Sequence, residues 1–352
     1  MKNIITLAMF FLGTLLSGCH PAGKLPEVKL LRLDSLNRVD VLFDNQPFTS
    51  YIYPENMEKA VLYPVRSAGG TIITRGFPLE PRSGERVDHP HHVGIWFNYG
   101  DVNGYDFWNN SYAVPQEDKH HFGRIFHQEI TRAESGSGKG ILEVTALWKA
   151  PGDTLDKTLL KEETTFIFSG DSASRMIDRI TKLTALDRDV LFTDNKEGLF
   201  AIRVDRAFEY PDDKPQIFTD ASGNPTEVPA MDNAGVSGRY HGSNGIDGLE
   251  VWGTRASWVS LSGTREGQPL TIVIFDHPEN PGYPGYWHAR GYGLFAVNNL
   301  GQKIFSDGKE ELNFRLPAGT SVTFRHRLAV FNGDALSDDV LNACAEQFSS
   351  QK

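Results

Sequence analysis

The chain has 352 residues, with 45 acidic and 35 basic side chains, and its formal net charge at neutral pH is −10. Nucleic-acid binding requires concentrated Lys and Arg, and the sequence contains no basic run, which argues against a nucleic-acid partner. One long apolar stretch occurs, at the N-terminus, which argues against a protein that crosses a membrane several times.

Residues 1–18 predict a lipoprotein signal peptide. Ile4 to Leu16 form an apolar segment that is short for a membrane span. Leu16-Ser17-Gly18-Cys19 resembles the cleavage box of bacterial lipoproteins. The resemblance implies cleavage before Cys19 and acylation of its thiol. The alternative is an ordinary signal peptide with a chance cysteine.

Residues 19–28 contain Pro, Gly and polar side chains, which is typical of a short spacer between a lipid and a domain. Acyl chains on Cys19 would anchor the mature protein to a membrane because the burial of each methylene adds to the binding energy. His20 follows the cysteine in place of an aspartate, which favours the outer membrane of a bacterial cell envelope.

From residue 29 onward, short segments rich in Val, Ile, Thr and aromatic residues alternate with Gly, Pro, Asn and Asp. This pattern predicts an all-β fold, a large antiparallel β-sandwich that extends over residues 29–333. The predicted strands include Lys29–Arg32, Val39–Phe43, Thr71–Thr74, Glu143–Trp148, Thr164–Phe168, Val190–Thr193, Leu199–Val204, Trp258–Ser262, Thr271–Phe275 and Val322–Val330.

Two parts of the chain depart from the strand pattern. Residues 334–352 form a tail with helical spacing, because Leu336, Val340, Leu341 and Cys344 recur at i, i+4, i+5 and i+8. Residues 211–249 are polar and loop-like, and they fit either a linker between two sandwiches or an insertion over a binding face. Similar strands on both sides favour a single domain.

The first cluster of reactive side chains extends from Asp88 to Trp108. It contains His89, His91 and His92, and histidine accepts, donates or coordinates near neutral pH. Pro90 excludes a regular helix, and an extended chain would place His89 and His91 on one face and His92 on the other. Two imidazoles on one face could bind a metal, bind a sugar hydroxyl or transfer a proton. The alternative is that the rings only pack.

The second cluster covers residues 277–293, directly after the predicted strand that ends at Phe275. Its prolines stiffen the loop, and its aromatic side chains offer flat apolar faces that suit a sugar ring. His288 and Arg290 could act as an acid and as a clamp for an anion. A rigid connecting loop with buried aromatic residues is the alternative.

A third group lies at residues 194–203. Glu197 stands at the entrance of a strand and could act as a base or nucleophile, although such a residue is more often part of a solvated turn. Arg203 places a charge within an apolar strand and therefore needs a partner, for which Asp205 or Asp194 is the simplest candidate.

The residues of these three groups resemble a bacterial family of uncharacterised proteins labelled PmoA-like after a methane oxygenase subunit. The resemblance rests on residues 88–97, 100–108, 196–198 and 277–295, within a span of about residues 50–330. Leu316-Pro317-Ala318-Gly319-Thr320 and the strand that follows are similar to the last strand of the galactose mutarotase-like supersandwich. That similarity implies a carbohydrate bound on the concave face of a large sheet.

We therefore expect a lipid-anchored enzyme of the cell envelope that hydrolyses, eliminates or epimerises a carbohydrate or glycoside through histidine acid-base chemistry. The sequence requires no cofactor and assigns no metal ligand. The alternatives are a non-catalytic sugar-binding lipoprotein and a metal-dependent hydrolase or oxygenase with His89 and His91 as ligands. The expected catalytic residues are His89, His91, His92, His288, Arg290 and Asp101. The expected substrate-binding residues are Trp96, Asn103, Trp108, Glu197, Arg203, His277, Asn280, Trp287 and Tyr292.

Overall fold

The computed structural model describes residues 25–152, 158–220, 222, 224–228 and 232–351. The predicted signal peptide and Cys19 lie outside these residues. Across the described ranges the chain forms strands β1 (Glu27–Leu33), β2 (Arg38–Phe43), β3 (Gln46–Ile52), β4 (Val61–Leu62), β5 (Ile95–Tyr99), β6 (Arg124–Glu134), β7 (Gly136–Ser137), β8 (Lys139–Lys149), β9 (Thr158–Gly170), β10 (Ser174–Ala185), β11 (Val190–Phe192), β12 (Gly198–Arg203), β13 (Gln216–Thr219), β14 (Pro225–Val228), β15 (Arg239–Gly242), β16 (Trp258–Arg265), β17 (Gln268–Asp276), β18 (Tyr286–Ala289), β19 (Leu294–Asn298), β20 (Phe314–Leu316) and β21 (Ser321–Asn332).

Two large sheets hold most of these strands. The first, which we call the site sheet, has nine strands in the order β18-β19-β12-β5-β4-β3-β2-β1-β7. The second has eight strands in the order β15-β16-β17-β21-β10-β9-β8-β6. Neighbouring strands pair antiparallel, as in β10 with β21 and β12 with β5. Strands β11 with β20 and β13 with β14 form two small additional ladders.

The inner faces of the two sheets form the main hydrophobic core. Strand β8 shows the cause, because Leu142, Val144, Ala146 and Trp148 are buried while the intervening residues are more exposed. Successive side chains of a strand point to opposite faces, so this alternation places one face on the core. Phe97, Phe200 and Val297 belong to the same core from the site sheet.

The C-terminal helix α2 (Asp338–Ser349) covers the outer face of the second sheet. Leu341 and Phe348 of the helix pack against Trp258, Val273 and Phe275. Loops cover the outer face of the site sheet instead, and a separate apolar cluster lies there. A short helix, α1 (Gln302–Phe305), follows β19.

The prediction of an all-β, large antiparallel β-sandwich with a short C-terminal helix is confirmed. The predicted strand at residues 71–74 is wrong, because that segment forms only the isolated bridges Arg66 to Ile72 and Thr74 to Val204. Residues 211–249 are more structured than expected, since they contain β13, β14 and β15. No helix in the described part of the chain is long and apolar enough to span a membrane.

Candidate functional site

One row of side chains on the outer face of the site sheet sets the position of the candidate site. Trp96 of β5 pairs with Ala201 of β12, Ala201 pairs with Ala296 of β19, and Ala296 pairs with His288 of β18. Trp96, Ala201 and Ala296 share the outer apolar cluster, whereas their chain neighbours face the main core. Two small residues therefore separate a tryptophan from a histidine across adjacent strands.

The segment that carries the first three histidines folds over this row as a turn. The amide of His92 donates a hydrogen bond to the carbonyl of His89 at 2.9 Å, and His89 has a φ of 42°. Of the extended and turn backbones that Pro90 allows, the segment adopts the turn, so the facing described for an extended chain does not apply. The turn instead brings the three imidazoles together, with ring centroids 4.3 to 5.6 Å apart.

Tyr292 joins the second predicted cluster to the first. Its ring lies 4.9 Å from that of His89 with an interplanar angle of 4°. His89 in turn lies 4.8 Å from His92 at 3°, and His92 lies 5.2 Å from Trp96 at 19°. Nearly parallel rings from two distant chain segments thus form one stacked group, which we call the histidine stack.

Asp88 fixes the direction of the His89 ring. Its Oδ1 accepts hydrogen bonds from Arg203 Nη2 at 2.7 Å and Arg75 Nη1 at 2.5 Å, and its Oδ2 lies 3.1 Å from His89 Nδ1. Burial acts to raise the pKa of Asp88, but Arg203, His89 and Arg75 outweigh it and hold that pKa well below its usual range. Asp88 is therefore ionised and orients the imidazole of His89 through Nδ1.

Burial keeps the imidazoles of His91, His92 and His288 neutral near neutral pH. Burial, with smaller effects of Lys59 and His89, lowers the pKa of His91 to about 2. Burial, followed by Arg290 and Lys196, lowers the pKa of His288 to about 3. His92 is completely buried, and burial lowers its pKa well below the usual value. A neutral imidazole donates a hydrogen bond through one ring nitrogen and accepts one at the other.

Glu197 lies beside His288. Its Oε2 is 3.7 Å from Nδ1 of His288, and its Oε1 binds Nζ of Lys196 at 2.7 Å. The positive charge of Arg290, two residues after His288, helps to lower the pKa of that histidine. The guanidinium of Arg290 lies 4.8 Å over the ring of Trp252. A carboxylate and a guanidinium therefore flank His288.

Several buried polar atoms of this site have no hydrogen-bond partner among the described residues. They are Nε1 of Trp96, Nε1 of Trp108, Nε2 of His92, Oδ1 of Asn98 and both ring nitrogens of His288. Buried polar groups are normally hydrogen-bonded, so a cluster of exceptions indicates that water or a ligand completes the site. Trp96 and Trp108 are 5.2 Å apart and belong to the same cluster.

Four ionisable residues of the site were not among the predicted site residues, namely Asp88 and its partner Arg75, Lys59 and Asp106. Lys59 is buried, donates to the carbonyl of His91 at 2.8 Å and lies 5.6 Å over Trp96, and its burial lowers its pKa to about 8. No local pattern marks this lysine. Asp106 lies within the first motif, and its burial raises its pKa despite hydrogen bonds from Trp108 and Asn109.

Five of the predicted site residues lie elsewhere. Trp287 points into the main core, because it is adjacent to His288 in β18 and adjacent strand residues face opposite sides of the sheet. Its Nε1 donates a hydrogen bond to the carbonyl of Ala256 at 3.0 Å. Asp101 accepts from the amide of Gly104 in a turn, and Asn103 binds the backbone of β11 at Leu191.

His277 and Asn280 are also structural. His277 meets the ring of Phe348 of α2 edge to face at 5.2 Å. Asn280 donates through Nδ2 to Oδ1 of Asp276 at 2.6 Å and accepts from the amide of Arg325 at 2.7 Å. Both residues brace the end of β17, so we do not include them in the site.

Arg203 belongs to the site but has a different partner from the one expected. It binds Asp88 and donates to Nδ1 of His92 at 3.3 Å, instead of binding Asp205 or Asp194. Within the described residues, no group of three His, Cys, Asp or Glu side chains is arranged so that it could hold a metal ion. The metal-dependent alternative, with His89 and His91 as ligands, therefore lacks a ligand set in this part of the chain.

Comparison with solved structures finds only distant similarity. The galactosidase domain of an alpha-galactosidase-sucrose kinase is 8% identical over 86% of this chain and 41% of its own, with a TM-score of 0.38. The Slr1438 protein from Synechocystis sp. PCC 6803 is 11% identical over 90% of this chain and all of its own, with a TM-score of 0.30. A glycoside hydrolase family 97 enzyme from Pseudoalteromonas sp. strain K8 is 10% identical over 90% of this chain and 36% of its own, with a TM-score of 0.28.

This chain thus spans less than half of the galactosidase and of the family 97 enzyme, and no curated protein matches it. The expected membership of a PmoA-like family is wrong, because a different family model matches the sequence. That model, described as a family of unknown function (DUF6807), matches residues 38–346. The match covers most of the chain, and the protein therefore belongs to the DUF6807 family.

Proposed function

We propose that the protein is an enzyme that acts on a carbohydrate or glycoside at the histidine stack, with His89 as the proton-transfer group. The pairing of Asp88 with His89 carries this proposal. The side chain of His89 is 40% exposed while its neighbour His92 is buried, so Nε2 of His89 is the nitrogen of the stack that a bound molecule can reach most readily.

The arrangement around Asp88 suits acid-base catalysis. An ionised carboxylate at Nδ1 fixes the tautomer and orientation of His89, which leaves Nε2 to accept or donate a proton. Arg75 and Arg203 keep Asp88 in position. The positive φ of His89 is a strained backbone state that a non-glycine residue adopts rarely, and such states cluster at functional sites.

The surroundings of His89 suit a sugar. Sugar rings present apolar C–H groups and many hydroxyls, so they bind well where flat aromatic faces lie beside unpaired hydrogen-bonding groups. The histidine stack and Tyr292 supply the faces. The indole N–H groups of Trp96 and Trp108 and the ring nitrogens of His288 supply the unpaired groups.

The carboxylates of the site favour elimination or epimerisation over hydrolysis. Most glycoside hydrolases place two carboxyl groups on either side of the scissile bond. Here Asp88 is bound by two arginines, and Asp106 accepts hydrogen bonds from Trp108 and Asn109. Among the described carboxylates of the site, we assign Glu197, which also binds the half-exposed Lys196, to the substrate beside His288. One imidazole base and one opposing acid are sufficient to move a proton from and to a sugar carbon.

Turnover of a glycoside panel tests the proposal. Purified protein is incubated with monosaccharides, disaccharides and uronic acid glycosides, and the products are identified by NMR. We expect His89→Ala to abolish turnover. The matched control His121→Ala should preserve turnover, because His121 is exposed and, among the described residues, its one aromatic ring contact is with His120. Binding of a glycoside without any product, in wild type and in both variants, would instead identify a sugar-binding protein.

The cellular location is a separate proposal that depends on Leu16-Ser17-Gly18-Cys19. We propose that Cys19 carries lipid and anchors the protein in the bacterial cell envelope, in the outer membrane. Labelling with a radioactive fatty acid in cells should mark the wild type and leave Cys19→Ser unlabelled. Labelling of both forms would contradict the assignment.

A further inference from the structure

A cavity, which we call the apolar pocket, adjoins the histidine stack. Its volume is about 280 Å³. His91 and Lys59 line it, and both also belong to the site, because His91 contacts His92 and Lys59 lies over Trp96. Most of the remaining wall is apolar, and it includes Met57, Pro78, Leu79, Pro90, Val93 and Tyr112.

Three of the polar side chains in the wall already bind other protein groups. Lys59 donates to the carbonyl of His91. Asn110 donates to the carbonyl of Gly123 at 2.9 Å and accepts from Lys119 at 2.9 Å. Glu58 binds Lys119 at 3.1 Å and Arg124 at 2.5 Å. A ligand in this pocket therefore meets mainly apolar surface and few free hydrogen-bonding groups.

The rim of the pocket leaves large apolar side chains uncovered. Tyr112 is 66% exposed and Leu79 is 37% exposed. Pro54, Pro78 and Pro90 fix the backbone around the opening, so little conformational entropy is lost when a ligand binds. A preformed apolar concavity with an exposed apolar rim is typical of a small-molecule site.

We propose that the apolar pocket binds an apolar aglycone, an aryl or short alkyl group that the sugar substrate carries. This inference rests on the proposed function, because it assigns the sugar to the histidine stack and the aglycone to the cavity beside His91. The size fits one substituted aromatic ring, since a cavity of roughly 150 Å³ accommodates benzene. The chemistry fits as well, because a second sugar would leave most of its hydroxyls without partners there.

Binding of phenol to the whole protein tests the pocket without any need for turnover. Saturation-transfer NMR and titration are performed on wild type, Leu79→Glu and the matched control Leu36→Glu, where Leu36 is 59% exposed in a helical turn after β1. We expect Leu79→Glu to weaken phenol binding about tenfold or more, since it places a charge on the apolar wall, and Leu36→Glu to leave it unchanged.

The same titration separates this inference from the proposed function. His89→Ala should bind phenol as wild type does, because His89 lies outside the pocket wall. Failure of phenol to bind wild type, or equal affinities for wild type and Leu79→Glu, would overturn the aglycone pocket even if glycosides are turned over. Loss of turnover by His89→Ala together with unchanged phenol binding would support both proposals.

Discussion

His89 and Tyr292 lie face to face, with ring centroids 4.9 Å apart and an interplanar angle of 4°. The two residues belong to separate loops, one before β5 and the other between β18 and β19. The guanidinium of Arg203, in β12, lies 5.0 Å from the centre of the Tyr292 ring and also binds Asp88, the partner of His89. The two histidine-bearing segments therefore form one unit around a buried charge.

The stacking explains what Tyr292 should contribute. Burial, the largest effect, raises the pKa of Tyr292 to about 12, so its phenol is neutral at neutral pH and is not required as a base. We expect Tyr292→Phe to retain most activity, because the ring remains. Tyr292→Ala should reduce kcat/KM about tenfold, since an aromatic pair contributes about 0.5–1.5 kcal/mol beyond its buried area. Steady-state kinetics on the glycoside identified in the panel would measure both. Equal losses in the two variants would assign the hydroxyl a role of its own.

The buried ion cluster should dominate the local stability. Arg203 is completely buried and binds Asp88, with Glu209 at 4.0 Å. We expect Arg203→Met to lower the free energy of unfolding by about 3–5 kcal/mol, because it removes a fully buried charge partner of Asp88 and leaves Arg75 as the remaining arginine on that carboxylate. Urea unfolding would measure the change. Lys182→Met removes an exposed ion pair with Glu163 and should leave the midpoint unchanged. Similar midpoints for all three proteins would show that Asp88 does not depend on Arg203.

The neutral state of His288 gives the fold a pH dependence with a definite sign. Burial, then Arg290 and Lys196, lowers the pKa of His288 to about 3, whereas an unfolded histidine titrates near about 6.5. The unfolded state therefore takes up the proton first. The contribution of His288 to stability is complete above about pH 6.5 and is lost as the pH falls toward 3.

We expect the wild type to lose more unfolding free energy than His288→Gln between about pH 7 and pH 5, by roughly 1.4 kcal/mol for each unit below 6.5. The comparison isolates His288 from the other buried histidines. Urea unfolding at both pH values gives the numbers. Parallel pH profiles for the two proteins would show that His288 is protonated in the folded state.

His241 should act in the opposite direction at the C-terminal helix. Burial acts to lower its pKa, but hydrogen bonds with Asp247 at 2.6 Å and Asp338 at 2.8 Å outweigh burial and raise it. Asp338 is the first residue of α2. A raised folded pKa gives stability that is complete below about pH 6.5 and is lost as the pH rises through the folded value.

Unfolding at about pH 6 and pH 8 tests this sign for His241. Relative to His241→Gln, the wild type should lose stability as the pH rises between these values. Asp338 of α2 and Asp247, which follows β15, face His241, and both are acidic. The ring of His241 lies 5.7 Å from that of Trp258. A wild type that gains stability relative to the variant over this range would contradict the assignment.

The architecture could be predicted from the sequence because most strands follow a period of two. Strand β8 is an example, with a single alternating face over its whole length. Strand β3 (Gln46–Ile52) has a less regular pattern because it contains Pro47, and the structure accommodates Pro47 at an irregular register between β2 and β3. The segment at 71–74 has strand composition but finds no continuous partner, and composition does not encode a partner.

The site could be predicted only in part. Motif composition identified the two segments that the structure brings together, and the roles of their residues stay predictions. Composition could not assign the face of each residue, so Trp287 was grouped with His288 although adjacent strand residues point to opposite sides. Lys59 was missed because it lies in an ordinary polar stretch, and only the tertiary fold places it over Trp96.

Solvent exchange at the substrate tests the central claim most directly. A glycoside that the enzyme converts is incubated in D₂O, and incorporation of deuterium at the sugar carbons is followed by NMR. Our account predicts deuterium incorporation at one sugar carbon if the reaction is an epimerisation, or loss of one sugar C–H with formation of a C=C bond if it is an elimination. Wild type and His121→Ala should show the same change, and His89→Ala should show none above the uncatalysed rate, because His89 moves the proton. Equal rates with wild type and His89→Ala, or conversion of the glycoside that breaks no sugar C–H bond, would contradict the account.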